Sequence, residues 1–154
     1  MPRAGFSRPR MLLACVALLG AGLLAVAELS PLYTVVVGSL QTPRRSVSAG
    51  SNHGYALALL AAVATALVVA WLRGAQLAGP LLGLLGMTAL VIVLVVDLPD
   101  TRVGGRLPES LAYSEARADP RRGLALELAG AITLLACAPL MTVAGRGRRS
   151  RAAR

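Results

Sequence analysis

Lysine is missing from this chain: apart from His53, every cationic side chain is an arginine, sixteen in all. Charged residues make up 15% of its 154 positions, where an ordinary soluble domain carries roughly 25%. Aromatic residues are scarcer still, at 3%. That scarcity argues against nucleic-acid binding, even with a net charge of +9 and a pI near 11.4. Stacking side chains are few, and the arginines sit at the tails and between apolar runs rather than along one face. An arginine-only cation set follows more simply from GC-rich codon usage than from any binding need. Cysteine occurs twice, at Cys15 and Cys137, each inside an apolar run and neither in a C-x-x-C. Thiol redox chemistry and a zinc site therefore have no basis. G-x-S-x-G, H-E-x-x-H and a phosphate loop are all absent, and Gly104-Gly105 reads as a turn. No enzyme, cofactor or metal is expected from these residues.

Long apolar runs are what the chain has instead: 56% of it is hydrophobic and the mean hydropathy is +0.67. The clearest run is residues 79–100, GPLLGLLGMTALVIVLVVDLPD, uncharged from Leu81 to Val96. As a helix, residues 77–98 would reach about 33 Å, enough for a hydrocarbon core of about 30 Å. Pro80 suits the first turn of such a helix, and Asp97-Leu98-Pro99-Asp100 ends it. Three similar runs occupy residues 11–29, 55–72 and 123–144, the last interrupted by Glu127 and Pro139. The expected fold is all-α, a polytopic membrane protein with a four-transmembrane-helix bundle and two extracytoplasmic loops. Ala25-Val26-Ala27 has the small-x-small form of a signal peptidase site, so the first run also admits a cleaved signal peptide. Its length exceeds the usual h-region of roughly 7–15 residues and favours an uncleaved span.

Residues 30–54 form the first polar connection. The β-branched stretch from Tyr33 to Val37 reads as a strand, residues 41–45 as a turn and residues 48–54 as loop, together a small hairpin outside the membrane. Residues 73–76 make a tight turn, so the second and third spans form an antiparallel hairpin. Residues 99–122 form the second long connection, where residues 109–118 suit a short surface helix. Tyr55 and Trp71 at the two ends of the second span fit an interfacial aromatic belt. Residues 1–10 and 145–154 are basic tails. With both tails cytoplasmic, that side holds nine arginines and the other seven. Arginine density beside the span ends also favours cytoplasmic termini, in a cell membrane.

Small residues mark the faces on which membrane helices meet. The first span carries Ala14, Ala17, Ala21 and Ala25 on a face leading to Glu28. The second carries Ala58, Ala62, Ala66 and Ala70. The third carries Gly79, Gly83 and Gly86, continuing through Leu90 to Asp97, and the fourth Glu127, Ala131, Leu134 and Ala138. In three spans a carboxylate shares the small-residue face. Under this threading Glu28, His53, Asp97 and Glu127 gather at the outer level and form the candidate polar cluster. Charge at a bilayer centre costs about 2.5 kcal/mol or more, but near the edge it reaches water cheaply. Ion pairing with Arg121, Arg122 or Arg102, or bonds to loop backbone, is therefore the simpler reading. An ion, proton or small-substrate site, with His53 as proton carrier, is the other.

Four short stretches stand out: Ser30-Pro31-Leu32-Tyr33, Asn52-His53-Gly54-Tyr55-Ala56-Leu57, Asp97-Leu98-Pro99-Asp100 and Leu126-Glu127-Leu128-Ala129-Gly130-Ala131. Together they resemble marks of small, uncharacterised four-span membrane proteins of GC-rich bacterial genomes. The resemblance spans nearly the whole chain and implies four spans with an uncleaved first helix, but no known activity. The expected function is a non-enzymatic membrane component, with the lipid bilayer, a second copy or another membrane protein as partner. The arginine-rich C-terminal tail is expected to meet anionic lipid. The alternative is a small transporter or a proton-conducting or ion-conducting subunit built on the outer carboxylates.

Overall fold

The computed structural model describes residues 8–37, 42–48, 54–100, 104–106 and 115–152. Four helices dominate it: α1 (Arg8–Leu29), α2 (Ala56–Leu72), α3 (Ala78–Ile92) and α4 (Arg122–Ala152). A π-helical turn, Val93–Asp97, and a last helical turn, Leu98–Asp100, prolong α3. Three apolar segments are long enough to cross a membrane: Arg8–Leu29, Ala78–Asp97 and Arg122–Gly145. Helix α2 is shorter, at 17 residues or about 25 Å. Helix α4 runs unbroken past Glu127 and Pro139, where the sequence suggested interruptions, and takes the basic tail into its last turns.

Hydroxyl groups along the helices turn back to their own backbone. Thr65, Thr88, Thr133 and Thr142 each donate to the carbonyl four residues earlier, at 2.9, 3.0, 2.6 and 2.8 Å. This bonding satisfies each hydroxyl without water, as helices with apolar surroundings need. Large apolar side chains face outward on every helix, among them Leu19, Leu59, Leu84, Val95 and Val143. Helices that are apolar all round belong in a membrane or a deep core.

The turn between α2 and α3 is as tight as its sequence suggested. Ala75 N–H bonds to Ala70 O at 2.9 Å and Gly74 N–H to Trp71 O at 3.0 Å. That pair of bonds closes the end of a helix when the residue after it is left-handed, and Gly74 has φ 106°.

The polar connections contain more order than an all-α fold. Strands β1 (Pro31–Val37), β2 (Thr42–Ser48), β3 (Gly104–Arg106) and β4 (Glu115–Pro120) form an antiparallel sheet in the order β2-β1-β4-β3. The expected hairpin exists as β1–β2, but Thr42 to Arg45 belong to β2 rather than to a turn. Residues 38–41 and 49–53 lie outside the described residues. Residues 115–118 are strand where a surface helix was expected, because they pair with both β1 and β3. The rest of that expected helix, residues 109–114, lies outside the described residues.

Helix α4 makes the most extensive contacts, against α1 on one side and α3 on the other, and α2 packs against α1 and α3. Glycine sets the closeness of both α4 contacts. A Cβ on Gly130 would lie 2.9 Å from Gly20 O, and one on Gly86 would lie 3.0 Å from Leu135 N. The helices pack nearly backbone to backbone there, as small residues permit where lipid does not drive association. The α1–α4 pair continues directly into the β1–β4 pair: Ser30 is all that separates α1 from β1, and Arg121 all that separates β4 from α4. Arg121 N–H bonds to Leu32 O at 2.8 Å, and Gly123 packs on Pro31 O.

Candidate functional site

Three of the four sequence-predicted site residues come together. Glu28 lies in the last turn of α1, Asp97 closes the π turn after α3, and Glu127 lies in the second turn of α4. All three are buried, at 1%, 0% and 0% exposure. His53, the fourth, lies outside the described residues. The expectation that acids at this level reach water cheaply does not hold, because neighbouring helices and the first residues of the sheet enclose them.

Each acid is turned inward by its element. On α1 the buried positions are Ala14, Ala17, Gly20, Ala21, Leu24, Ala27 and Glu28, a helical stripe with the acid at its end. Ala25, expected on that stripe, is exposed. On α3 the stripe runs through Gly79, Leu82, Gly86, Ala89 and Val93 to Asp97. The wider π turn, closed by Leu98 N–H on Val93 O, brings Asp97 below Val93 on the same face. On α4, Glu127, Ala131, Leu134 and Ala138 are all buried, as expected. On α2 the expectation fails: Leu57, Ala61, Ala64, Val68 and Trp71 point inward, while Ala62 and Ala66 point outward.

The Asp97 and Glu127 carboxyl groups lie within hydrogen-bonding reach of each other, and Glu28 is near enough to act on Glu127 electrostatically. Apart from Asp97, no group among the described residues offers either Glu127 oxygen an N–H or O–H. Two carboxylates 4 Å apart repel by about 4 kcal/mol at an effective dielectric of 20, so such a pair needs a positive charge or a shared proton. Among the described residues no cluster of acids, histidines or cysteines has a metal-holding arrangement. Leu32, Val93 and Leu124 form a small apolar cluster beside the acids, with Tyr33, Leu98 and Leu128 packed on it. Above it, Arg121 Nε donates to the Thr34 hydroxyl at 3.1 Å, tying α4 to β1.

A second polar constellation, which the sequence did not reveal, occupies the opposite end. Trp71 is buried, not placed in an aromatic belt: its indole N–H donates to Met141 O at 3.0 Å. The Arg10 guanidinium lies 4.7 Å from the centre of its ring and donates to Trp71 O at 3.3 Å. The signal available was Trp71 directly before a tight turn with Arg10 opening the first run. Tyr55, by contrast, is exposed at the start of α2, as a residue at an interface would be.

Comparison with known proteins adds no relative: no family model, no curated protein and no solved structure matches this chain.

Proposed function

We propose that this chain is an integral protein of the cell membrane, crossing it four times as a four-helix bundle with cytoplasmic termini and two outer loops. In this reading it is a non-enzymatic component that associates with a second copy or with another membrane protein. The lengths of α1, α3 and α4 support the spans, and the 17 residues of α2 fall at the lower limit for a crossing. Exposed Arg8 and Arg73, with the arginines that close α4, occupy the end opposite the buried acids, which supports the orientation. Those same arginines suit anionic headgroups, at about 1 kcal/mol each.

One observation carries the association reading. The small-residue faces of α1, α3 and α4 are used up inside the molecule, whereas Ala62 and Ala66 of α2 point outward, with half-buried Ala58 and Ala70 at the edges. An outward small-residue face on a short span favours a neighbouring helix, by close approach and by relief of length mismatch. Single-molecule photobleaching in native-lipid nanodiscs tests it. The wild-type chain should give two or more steps, and Ala62→Leu with Ala66→Leu should give mainly one. One-step bleaching of the wild type, with no co-purifying membrane protein, would end this reading.

A transport reading has its own support in the buried acids. Proton or cation flux in vesicles, compared between wild type and Glu127→Gln, decides it: equal flux removes it.

A further inference from the structure

Glu127 is the group in this molecule whose surroundings do not account for it. It is fully buried, and the polar groups that act on it among the described residues are two more acids, Asp97 within hydrogen-bonding reach and Glu28 electrostatically. A fixed cation would explain a structural role, yet among the described residues no arginine N–H reaches Glu127. A divalent metal would explain it too, but the described residues offer no metal-holding group. A proton needs neither: it joins two carboxyl groups through one hydrogen bond and removes their repulsion.

We propose that Asp97 and Glu127, with Glu28 alongside, form a binding site for one exchangeable proton beneath the β1–β4 sheet. Occupation transfers H⁺ from bulk water to a carboxylate oxygen, and release returns it to water; no other bond is made or broken. The backbone supports this placement. The π turn sets Asp97 on the buried face, and such turns recur at functional positions in helices. The Leu32, Val93 and Leu124 cluster limits water around the pair. Among the described residues, the other titratable or charged groups at this end of the elements packed here are Glu28 of α1, Tyr33 of β1, Asp100 in the helical turn after Asp97, Arg122 at the exposed start of α4, Glu115, Arg117 and Asp119 on β4, and Arg121, whose Nε bonds to Thr34. Helix α2 contributes only Tyr55 at its exposed start. The site stands independently of any association through α2.

Infrared difference spectroscopy of the full chain in lipid nanodiscs, in water and in deuterium oxide, tests the proposal. At neutral pH the wild type should show the C=O band of a protonated carboxylic acid, shifted by deuterium. Glu127→Gln should abolish that band, and so should Asp97→Asn, which also serves if the first variant does not fold. A neutral-pH spectrum with ionised carboxylates alone overturns the proposal. So does an acid band that survives in either folded variant.

Discussion

At the scale of single residues, the burial of Glu127 against other acids is the informative property. A buried carboxyl group that finds no donor but another acid costs stability, and apolar replacement of buried charged groups is often stabilising. Glu127→Leu is therefore expected to raise the thermal midpoint in detergent, by about 1–3 kcal/mol in stability, while removing any proton-dependent behaviour. A lowered midpoint would mean that Glu127 holds the helices together. Trp71→Phe keeps a six-membered ring but loses the pyrrole half of the indole and its bond to Met141 O, so a loss of about 2–3 kcal/mol is expected in the same measurement. The convergence of Glu28, Asp97 and Glu127 was legible because each shares a helical stripe with small residues. The α2 face was misread for a geometric reason. A step of four residues overshoots a full turn by about 40°, so the stripe from Ala58 to Ala70 winds round the helix and cannot face one neighbour. Nothing in the sequence weighed that stripe against Leu57, Ala61, Ala64 and Val68.

Between the elements, glycine positions set what the helices tolerate. A Cβ at Gly79 would lie 2.6 Å from Thr142 Oγ1 and 3.0 Å from its backbone nitrogen, whereas one at Gly22 meets nothing within 4 Å. Gly79→Ala should thus cost about 1–3 kcal/mol by overpacking, and Gly22→Ala should leave the unfolding curve nearly unchanged. The π turn makes a second prediction. Deleting exposed Val95 turns i→i+5 bonding into i→i+4 and leaves Asp97 in place, so the folded yield should hold. Deleting Leu84 from α3 turns every later residue by about 100° and should abolish it. Chain yield after size-exclusion chromatography in detergent separates the two. The helices were legible from run length alone. The sheet was legible only at β1, whose Val35, Val36 and Val37 are β-formers. Strand β2 contains Pro43 and two arginines, and β4 reads EARADP, so neither announces itself. Their pairing follows from where α1 and α4 deliver the chain.

For the whole molecule, the arginine count gives a margin of only nine to seven, so sidedness rests on a direct measurement. In a cysteine-free background, a cysteine at exposed Gln76 should react with membrane-impermeant maleimide only after the cells are opened, and one at Ser46 in intact cells. Labelling of position 76 from outside would invert the threading and move the acid cluster to the cytoplasmic side. The direct passage of α1 and α4 into β1 and β4 has a mechanical consequence. Were α1 to slide along α4, the strand ladder would have to slip with it, and a one-residue slip turns every strand side chain to the wrong face. Only jumps of two residues, about 7 Å, would restore the pairing. These two helices and their strands therefore behave as one stiff spine, α3 is pressed onto it through Gly79 and Gly86, and any breathing of the molecule falls to α2, which has the fewest contacts of the four helices.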